Sequence, residues 1–145
     1  MRLGHLAVGL CLVGPLGAAA CGDEASSGKS VVYTCCRQED LQKTYRPGET
    51  LTLHWVAEEK EGRPAAENVE LTAVMAGPTG AAGAAVGLRL TAAPVKVSGS
   101  PGTPPVSEIA IPRDAPPGDY AVSHSRRGGG ENVTGEAVVT VVAGG

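Results

Sequence analysis

Residues 109–122 read IAIPRDAPPGDYAV, and this stretch decides the fold predicted for the chain. Ile109 and Ile111 alternate with other residues at the two-residue period of a half-buried strand. Residues 112–118 then supply four prolines or glycines, which are the residues that end strands and make turns. Tyr120 begins a second alternating segment directly afterwards. The stretch therefore predicts a strand, a turn and a second strand that returns beside the first.

The same pattern of alternation and turn recurs along the rest of the chain, without a helix of convincing length. Residues 58–63 and 125–131 are charged or glycine-rich and are predicted to be solvated loops between strands. A set of strands that each bury one face is typical of two packed antiparallel sheets. We therefore predict an all-β, two-sheet antiparallel sandwich of about seven strands, which cover residues 30–36, 50–56, 68–75, 86–97, 107–111, 119–123 and 136–142.

Residues 109–122 also resemble the E–F corner of bacterial immunoglobulin-like domains. The resemblance implies an immunoglobulin-like domain over residues 30–145, in which Tyr120 is the structural residue of a tyrosine corner. Residues 46–55 (RPGETLTLHW) resemble a second strand, with Trp55 in or beside the core. The chain departs from antibody-type domains because it has no cysteine pair spaced to link two sheets.

The first 20 residues have the composition of a signal peptide. Arg2 supplies a positive start, residues 6–16 are apolar and uncharged, and Ala18 to Ala20 are the small residues of a cleavage site. The apolar run is shorter than the roughly 20 residues that a spanning helix needs. We predict that residues 1–20 are removed on export.

Cys21 directly follows those alanines, and the junction resembles the lipobox of bacterial lipoproteins. The resemblance implies a lipid on Cys21 and an extracytoplasmic domain anchored to the cell membrane. It departs from the usual motif because Ala18 stands where leucine is typical. Simple secretion after cleavage at the same bond is the alternative. Residues 21–29 are small or polar and are predicted to be a flexible tether.

The charge of the mature chain excludes some classes of partner. Arg2 leaves with the signal, so 11 of the 12 basic residues remain against 15 acidic ones, a net charge of about −4. The only basic pair is Arg126–Arg127, and the chain has one tryptophan and three tyrosines. Neither a basic patch nor a stacking surface is indicated, so nucleic-acid binding is not expected.

Cys35 and Cys36 are neighbours on a predicted strand, and three interpretations of the pair remain open. They could form a disulfide in the oxidising environment outside the cytoplasm. They could instead be one buried and one exposed thiol, because adjacent strand residues point to opposite faces. The third interpretation is a metal or redox site.

A metal site would need further ligands, and the chain offers His54 and His124. Sulfur with imidazole suits copper or zinc. No spacing typical of a metal motif occurs, and surface histidines without a ligand role are the simpler interpretation. Because strand positions alternate, His54 is expected to point away from the face that carries Trp55.

No nucleophile elbow, phosphate-binding loop or other catalytic motif occurs in the sequence. We therefore expect a non-enzymatic cell-envelope lipoprotein without a cofactor, which binds or displays through its sheet edges and loops. Its expected partner is a protein or a glycan. The alternative is a soft-metal carrier that uses Cys35, Cys36, His54 and His124.

Overall fold

A computed structural model of the chain describes residues 30–62, 68–79, 85–98 and 102–145. The predicted signal peptide of residues 1–20, the lipidation site Cys21 and the tether of residues 21–29 lie outside this range. Within the described residues, no helix combines the length and apolar character that crossing a bilayer requires.

The prediction of an all-β chain is confirmed. Ten strands and one five-residue helix make up the described elements. In chain order these are β1 (Ser30–Thr34), α1 (Gln38–Gln42), β2 (Thr44–Tyr45), β3 (Thr50–His54), β4 (Val56–Lys60), β5 (Val69–Thr79), β6 (Ala85–Thr91), β7 (Val95–Val97), β8 (Val106–Ala110), β9 (Gly118–Gly128) and β10 (Glu131–Val141).

The strands pair into one large sheet and two small ones. The large sheet has the order β2-β10-β9-β5-β6, and β7 also pairs with β5. Strands β3 and β8 form one two-stranded sheet, and β1 and β4 form the other. Every pairing is antiparallel except that of β2 with β10. Both small sheets pack on the same side of the large sheet, because each shares a buried cluster with it.

Alternating residues place the core between these layers. On β5, Val69, Leu71, Ala73 and Met75 are buried, while the residues between them are half-buried on the opposite face. The larger cluster joins them to β3 and β8 through Leu51 and Ile109. The smaller cluster lies under β1 and is made of Val31, Tyr33, Trp55, Val69 and Leu71. The two-residue period of the sequence therefore identifies the buried face of these strands correctly.

Two segments predicted as loops are strands. Residues 58–60 belong to β4, where each pairs with a residue of β1. Backbone pairing does not depend on the polarity of the side chains, so exposed glutamates remain in solvent on this strand. Residues 125–128 and 131 likewise continue β9 and β10, and only Gly129 and Gly130 form the turn. Both glycines have positive φ, as a two-residue hairpin requires.

Three further features differ from the sequence prediction. The strand predicted over residues 50–56 is interrupted at Trp55, which separates β3 from β4. The helix α1 and the short strand β2 were not predicted, because five and two residues are too short to show a period. The described strands number ten rather than seven because β3 and β4 replace one predicted strand, β6 and β7 replace another, and β2 is additional.

Candidate functional site

Trp55 lies at the junction of the small sheets, where the chain passes from β3 to β4. Its side chain is 1% exposed, and its indole Nε1–H donates a hydrogen bond of 2.9 Å to Ser107 Oγ, which is also buried. Its backbone N–H donates to Pro105 O at 3.1 Å. A buried tryptophan needs such a partner for its single donor. These contacts give Trp55 a packing role.

His124 lies on the inner side of β9, beside Trp55. The two rings meet edge to face with centroids 6.0 Å apart. Gly135 is the cross-strand neighbour of His124, and a Cβ at that position would overlap the imidazole ring. Burial lowers the pKa of His124 below its ordinary 6.5, so the ring is neutral at neutral pH. This histidine packs as a half-buried ring in the middle of β9, which extends beyond the predicted strand end.

Tyr120 stands at the start of β9, as the tyrosine of the predicted corner. It is fully buried, and its hydroxyl donates a hydrogen bond of 2.7 Å to Pro116 O, four residues back along the chain. Burial raises the pKa of the phenol. A Cβ on Gly77 would lie 2.8 Å from the Tyr120 ring, so glycine makes room for the aromatic side chain. The hydrogen bond fixes the loop before β9 against its own strand.

His54 is held at the end of β3 by a carboxylate of α1. Asp40 accepts the His54 backbone N–H at 2.7 Å, and its other oxygen lies 3.0 Å from His54 Nδ1. The Asp40 side chain is 11% exposed, whereas that of His54 is 38% exposed. The pair therefore docks α1 against β3. Sequence reasoning did not find Asp40, because the two residues are 14 positions apart and the helix between them was not predicted.

Cys35 and Cys36 are joined as a disulfide between neighbours, and the peptide bond between them is cis. Both residues are partly buried against the main core. Of the three interpretations that the sequence left open, the structure has the disulfide.

The four predicted metal ligands are not brought together as a set. His54 lies on β3 in a small sheet, and His124 lies on β9 in the large sheet. The cysteine sulfurs are bonded to each other. Across the residues that the structure describes, no group of three or more histidine, cysteine, aspartate or glutamate side chains has the geometry to hold a metal ion.

The loops at one end of the strands enclose an open depression of about 800 Å³, which we call the loop groove. Its charged lining residues are Arg46, Glu49, Arg113 and Asp114, and all four are exposed. Neither guanidinium has an ion-pair partner among the described residues. The loop groove therefore presents charges of both signs to solvent.

Backbone hydrogen bonds hold the two loops of the loop groove together. Gly48 N–H donates to Ile111 O at 3.0 Å, and Ile111 N–H donates to Glu49 O at 2.9 Å. Gly48 has φ +88°, and the Arg113 stem packs close to it, so a side chain there would be strained. The Tyr120 hydroxyl fixes the same loop through Pro116. These bonds make the charged rim a fixed surface.

A second, smaller depression of about 530 Å³ lies on the large sheet. Thr72, Ser123, Ser125, Thr134 and Glu136 contribute to it from β5, β9 and β10. Thr72 Oγ1 and Ser125 Oγ are 2.6 Å apart, so one hydroxyl donates a hydrogen bond to the other. Among the described residues that line this depression, His124 is the one ring side chain, and its ring packs edge to face with Trp55.

Comparison with solved structures finds likenesses to larger proteins. No protein-family model and no curated protein sequence matches the chain. A family 123 glycoside hydrolase from Clostridium perfringens aligns with a TM-score of 0.46 and 16% identity, covering 80% of this chain and 27% of its own. The sporulation control protein Spo0M from Bacillus subtilis aligns with a TM-score of 0.42 and 18% identity, covering 81% of this chain and 50% of its own. The chain thus spans half or less of either protein, and both scores are too low to support a family or a function.

Proposed function

We propose that the described domain is an immunoglobulin-like sandwich and that it serves as a non-enzymatic binding module of the cell envelope. Three features support the fold assignment. In the strand order β2-β10-β9-β5-β6, the edge strand β2 pairs in parallel with β10. The β3–β8 sheet covers the inner side of this sheet. The Tyr120 hydroxyl donates a hydrogen bond to Pro116 O at the corner before β9. This arrangement suits a rigid scaffold that carries recognition loops.

The position of the loop groove relative to residue 30 is the observation that carries the proposed function. Strand β3 begins beside the loop groove at Thr50, and β4 ends at Lys60, which pairs with Ser30. The β1 residues Val31 and Tyr33 pack against Val69 and Leu71 at the start of β5, whereas Ala115 of the loop groove belongs to the other buried cluster. Ser30, from which the chain leads back to Cys21, therefore lies at the end of the strands remote from the loop groove.

Because Ser30 and the loop groove lie at opposite ends of the strands, a lipid on Cys21 would orient the domain relative to the membrane. The nine residues from 21 to 29 can reach at most about 30 Å. With the anchor on that side, the loop groove faces away from the membrane, where an envelope or extracellular partner can reach it. Its exposed charges of both signs suit a polar surface on a protein or a glycan. The domain would then act by binding, with its localisation set by the anchor.

We do not extend the proposal to the soft-metal carrier. The Cys35 and Cys36 sulfurs are joined, and Asp40 occupies one nitrogen of His54. No feature of the described residues favours metal transport over binding.

Photocrosslinking in intact cells tests the loop groove as a binding site. A benzophenone amino acid would replace Arg113 on the rim of the loop groove or, as the matched control, the exposed Arg89 on β6. We expect an adduct at position 113 that is absent at position 89, and mass spectrometry of the adduct would distinguish a protein from a glycan. Absence of an adduct at position 113, or the same adduct at both positions, would contradict the proposal.

A further inference from the structure

The stability of the fold does not account for the Cys35–Cys36 disulfide. A disulfide stabilises a protein mainly by restricting the unfolded chain, and this effect grows with the number of residues in the loop that it closes. A bond between neighbours closes the shortest loop that a chain can have, so it restricts the unfolded chain least. Both cysteines are only half-buried. Accessible disulfides without a structural role are the ones that typically take part in thiol–disulfide exchange.

The pairing of β1 shows what the disulfide does to the backbone. Strands β1 and β4 pair in one register, which ends with Thr34 opposite Val56. Continued by two residues, the same register would place Cys36 opposite His54. Instead, β1 ends at Thr34, and the Arg37 N–H donates a hydrogen bond of 3.0 Å to His54 O. The chain therefore contains one residue more than continuous pairing needs, and the extra residue lies at the disulfide.

A bond between adjacent side chains prevents the continuous pairing. Adjacent side chains of an extended strand point to opposite faces of the sheet, which is incompatible with a bond between their sulfur atoms. The disulfide therefore holds Cys35 and Cys36 in a bend after β1, where both side chains pack against the larger core cluster. Once the bond is reduced, the two residues are free to become extended and to bring Cys36 opposite His54.

The contacts that this change would displace are the ones that hold α1 against β3. Arg37 directly precedes α1 and bonds to His54 O, and Asp40 of α1 accepts the His54 backbone N–H. None of the five residues of α1 is buried, and Leu41 is partly buried against the larger cluster. Segments with so few buried contacts open most easily. The buried Tyr45 and the pairing of β2 with β10 fix the chain after α1, so the change would be confined to the segment between β1 and β2.

We propose that the Cys35–Cys36 disulfide is a thiol–disulfide exchange site, and that its reduction by a dithiol releases α1 from His54. One thiolate of the dithiol attacks a cysteine sulfur, which forms a mixed disulfide and frees the other cysteine as a thiol. The second thiol of the dithiol then closes the dithiol's own disulfide and frees the first cysteine. Two electrons and two protons pass to the protein, and the dithiol is oxidised. This exchange requires neither the lipid anchor nor binding in the loop groove, so it can fail without affecting the proposed function.

Hydrogen exchange of the full chain in mild detergent, with and without dithiothreitol, tests the exchange site. Alkylation followed by mass spectrometry of the peptide that carries both cysteines gives the reduced fraction. We expect reduction to speed exchange of the amides at residues 37–43 by about tenfold or more, and to leave those of β9 and β10 unchanged. Reoxidation should restore slow exchange. Three results would each overturn the proposal: cysteines that resist dithiothreitol until the domain unfolds, unchanged exchange at residues 37–43, or equal acceleration in β9 and β10.

A variant without the disulfide separates the bond from any other effect of the reductant. Cys35→Ser/Cys36→Ser lacks the bond, so its exchange at residues 37–43 should be as fast as that of the reduced wild type. Dithiothreitol should then have no further effect on it. A double variant that keeps β9 and β10 protected and exchanges at residues 37–43 as slowly as the oxidised wild type would contradict the proposal.

The Asp40 carboxylate can be tested while the disulfide stays intact. Asp40→Asn replaces a charged acceptor by a weaker neutral one, so it should speed exchange at residues 37–43 in the oxidised protein. Glu39→Gln is the matched control, because Glu39 is an exposed neighbour on the same helix, and it should exchange like the wild type. Equal exchange in the two variants would show that the Asp40–His54 contact does not hold α1, and would overturn its release as the result of reduction.

Discussion

Replacing Trp55 with alanine is expected to lower the free energy of unfolding by about 3–5 kcal/mol, the cost typical of deleting a large buried aromatic side chain. Trp55 is 1% exposed and fills the smaller cluster between β1 and β5. The truncation also leaves the buried Ser107 hydroxyl without its donor. Such a loss is a large share of the stability of a small domain. Chemical denaturation of the wild type and the variant measures it.

Two further variants separate packing from hydrogen bonding at this position. Ser107→Ala keeps the indole but leaves its buried N–H without an acceptor, which costs about 1–3 kcal/mol. Val138→Ala, at an exposed position, should change stability by no more than about 0.5 kcal/mol. A Trp55→Ala protein as stable as the Val138→Ala control would show that the tryptophan is not part of the core.

Tyr120→Ala should lower the free energy of unfolding by a similar amount, about 3–5 kcal/mol, because the ring is fully buried and packs closely on Gly77. Tyr120→Phe keeps the ring and removes only the bond to Pro116 O, so it should cost on the order of 1 kcal/mol. The difference between the two variants distinguishes ring packing from the corner bond. Thermal melts followed by circular dichroism measure both, with the larger loss lowering the melting temperature by on the order of 10 °C or more.

Equal stability of Tyr120→Phe and the wild type would mean that the corner hydrogen bond contributes nothing. An unchanged melting temperature for Tyr120→Ala would contradict the role given to this residue in the fold. Because Tyr120 also fixes Pro116 on the rim of the loop groove, Tyr120→Phe should weaken crosslinking at position 113 if that rim must be rigid.

The strands and their buried faces could be predicted where apolar side chains recur at every second position. Leu51 and Leu53, like Leu71, Ala73 and Met75, occupy every second position, and the face they share is the buried one. When one face of a sheet is buried, two-residue alternation determines which side chains of each strand face the core. This is why the all-β class could be predicted.

Features set by tertiary contacts could not be predicted in the same way. The charged residues of β4 are in a strand because β1 runs beside them, and no local pattern signals that pairing. The Asp40–His54 contact depends on a five-residue helix with no period. The Cys35–Cys36 pair fits three chemistries, and no local sequence pattern distinguishes among them. The loop groove joins loops more than 60 residues apart in sequence.

Partition of the protein between membrane and soluble fractions tests the central proposal, a lipid-anchored binding module, most directly. The wild type is expected in the membrane fraction, and Cys21→Ser, which removes the acceptor of the lipid, should release the chain into the soluble fraction. Mass spectrometry of the wild type should find Cys21 at the mature N-terminus with attached acyl chains. A wild type that is already soluble in the medium, or a Cys21→Ser variant that stays with the membrane, would contradict the anchored module.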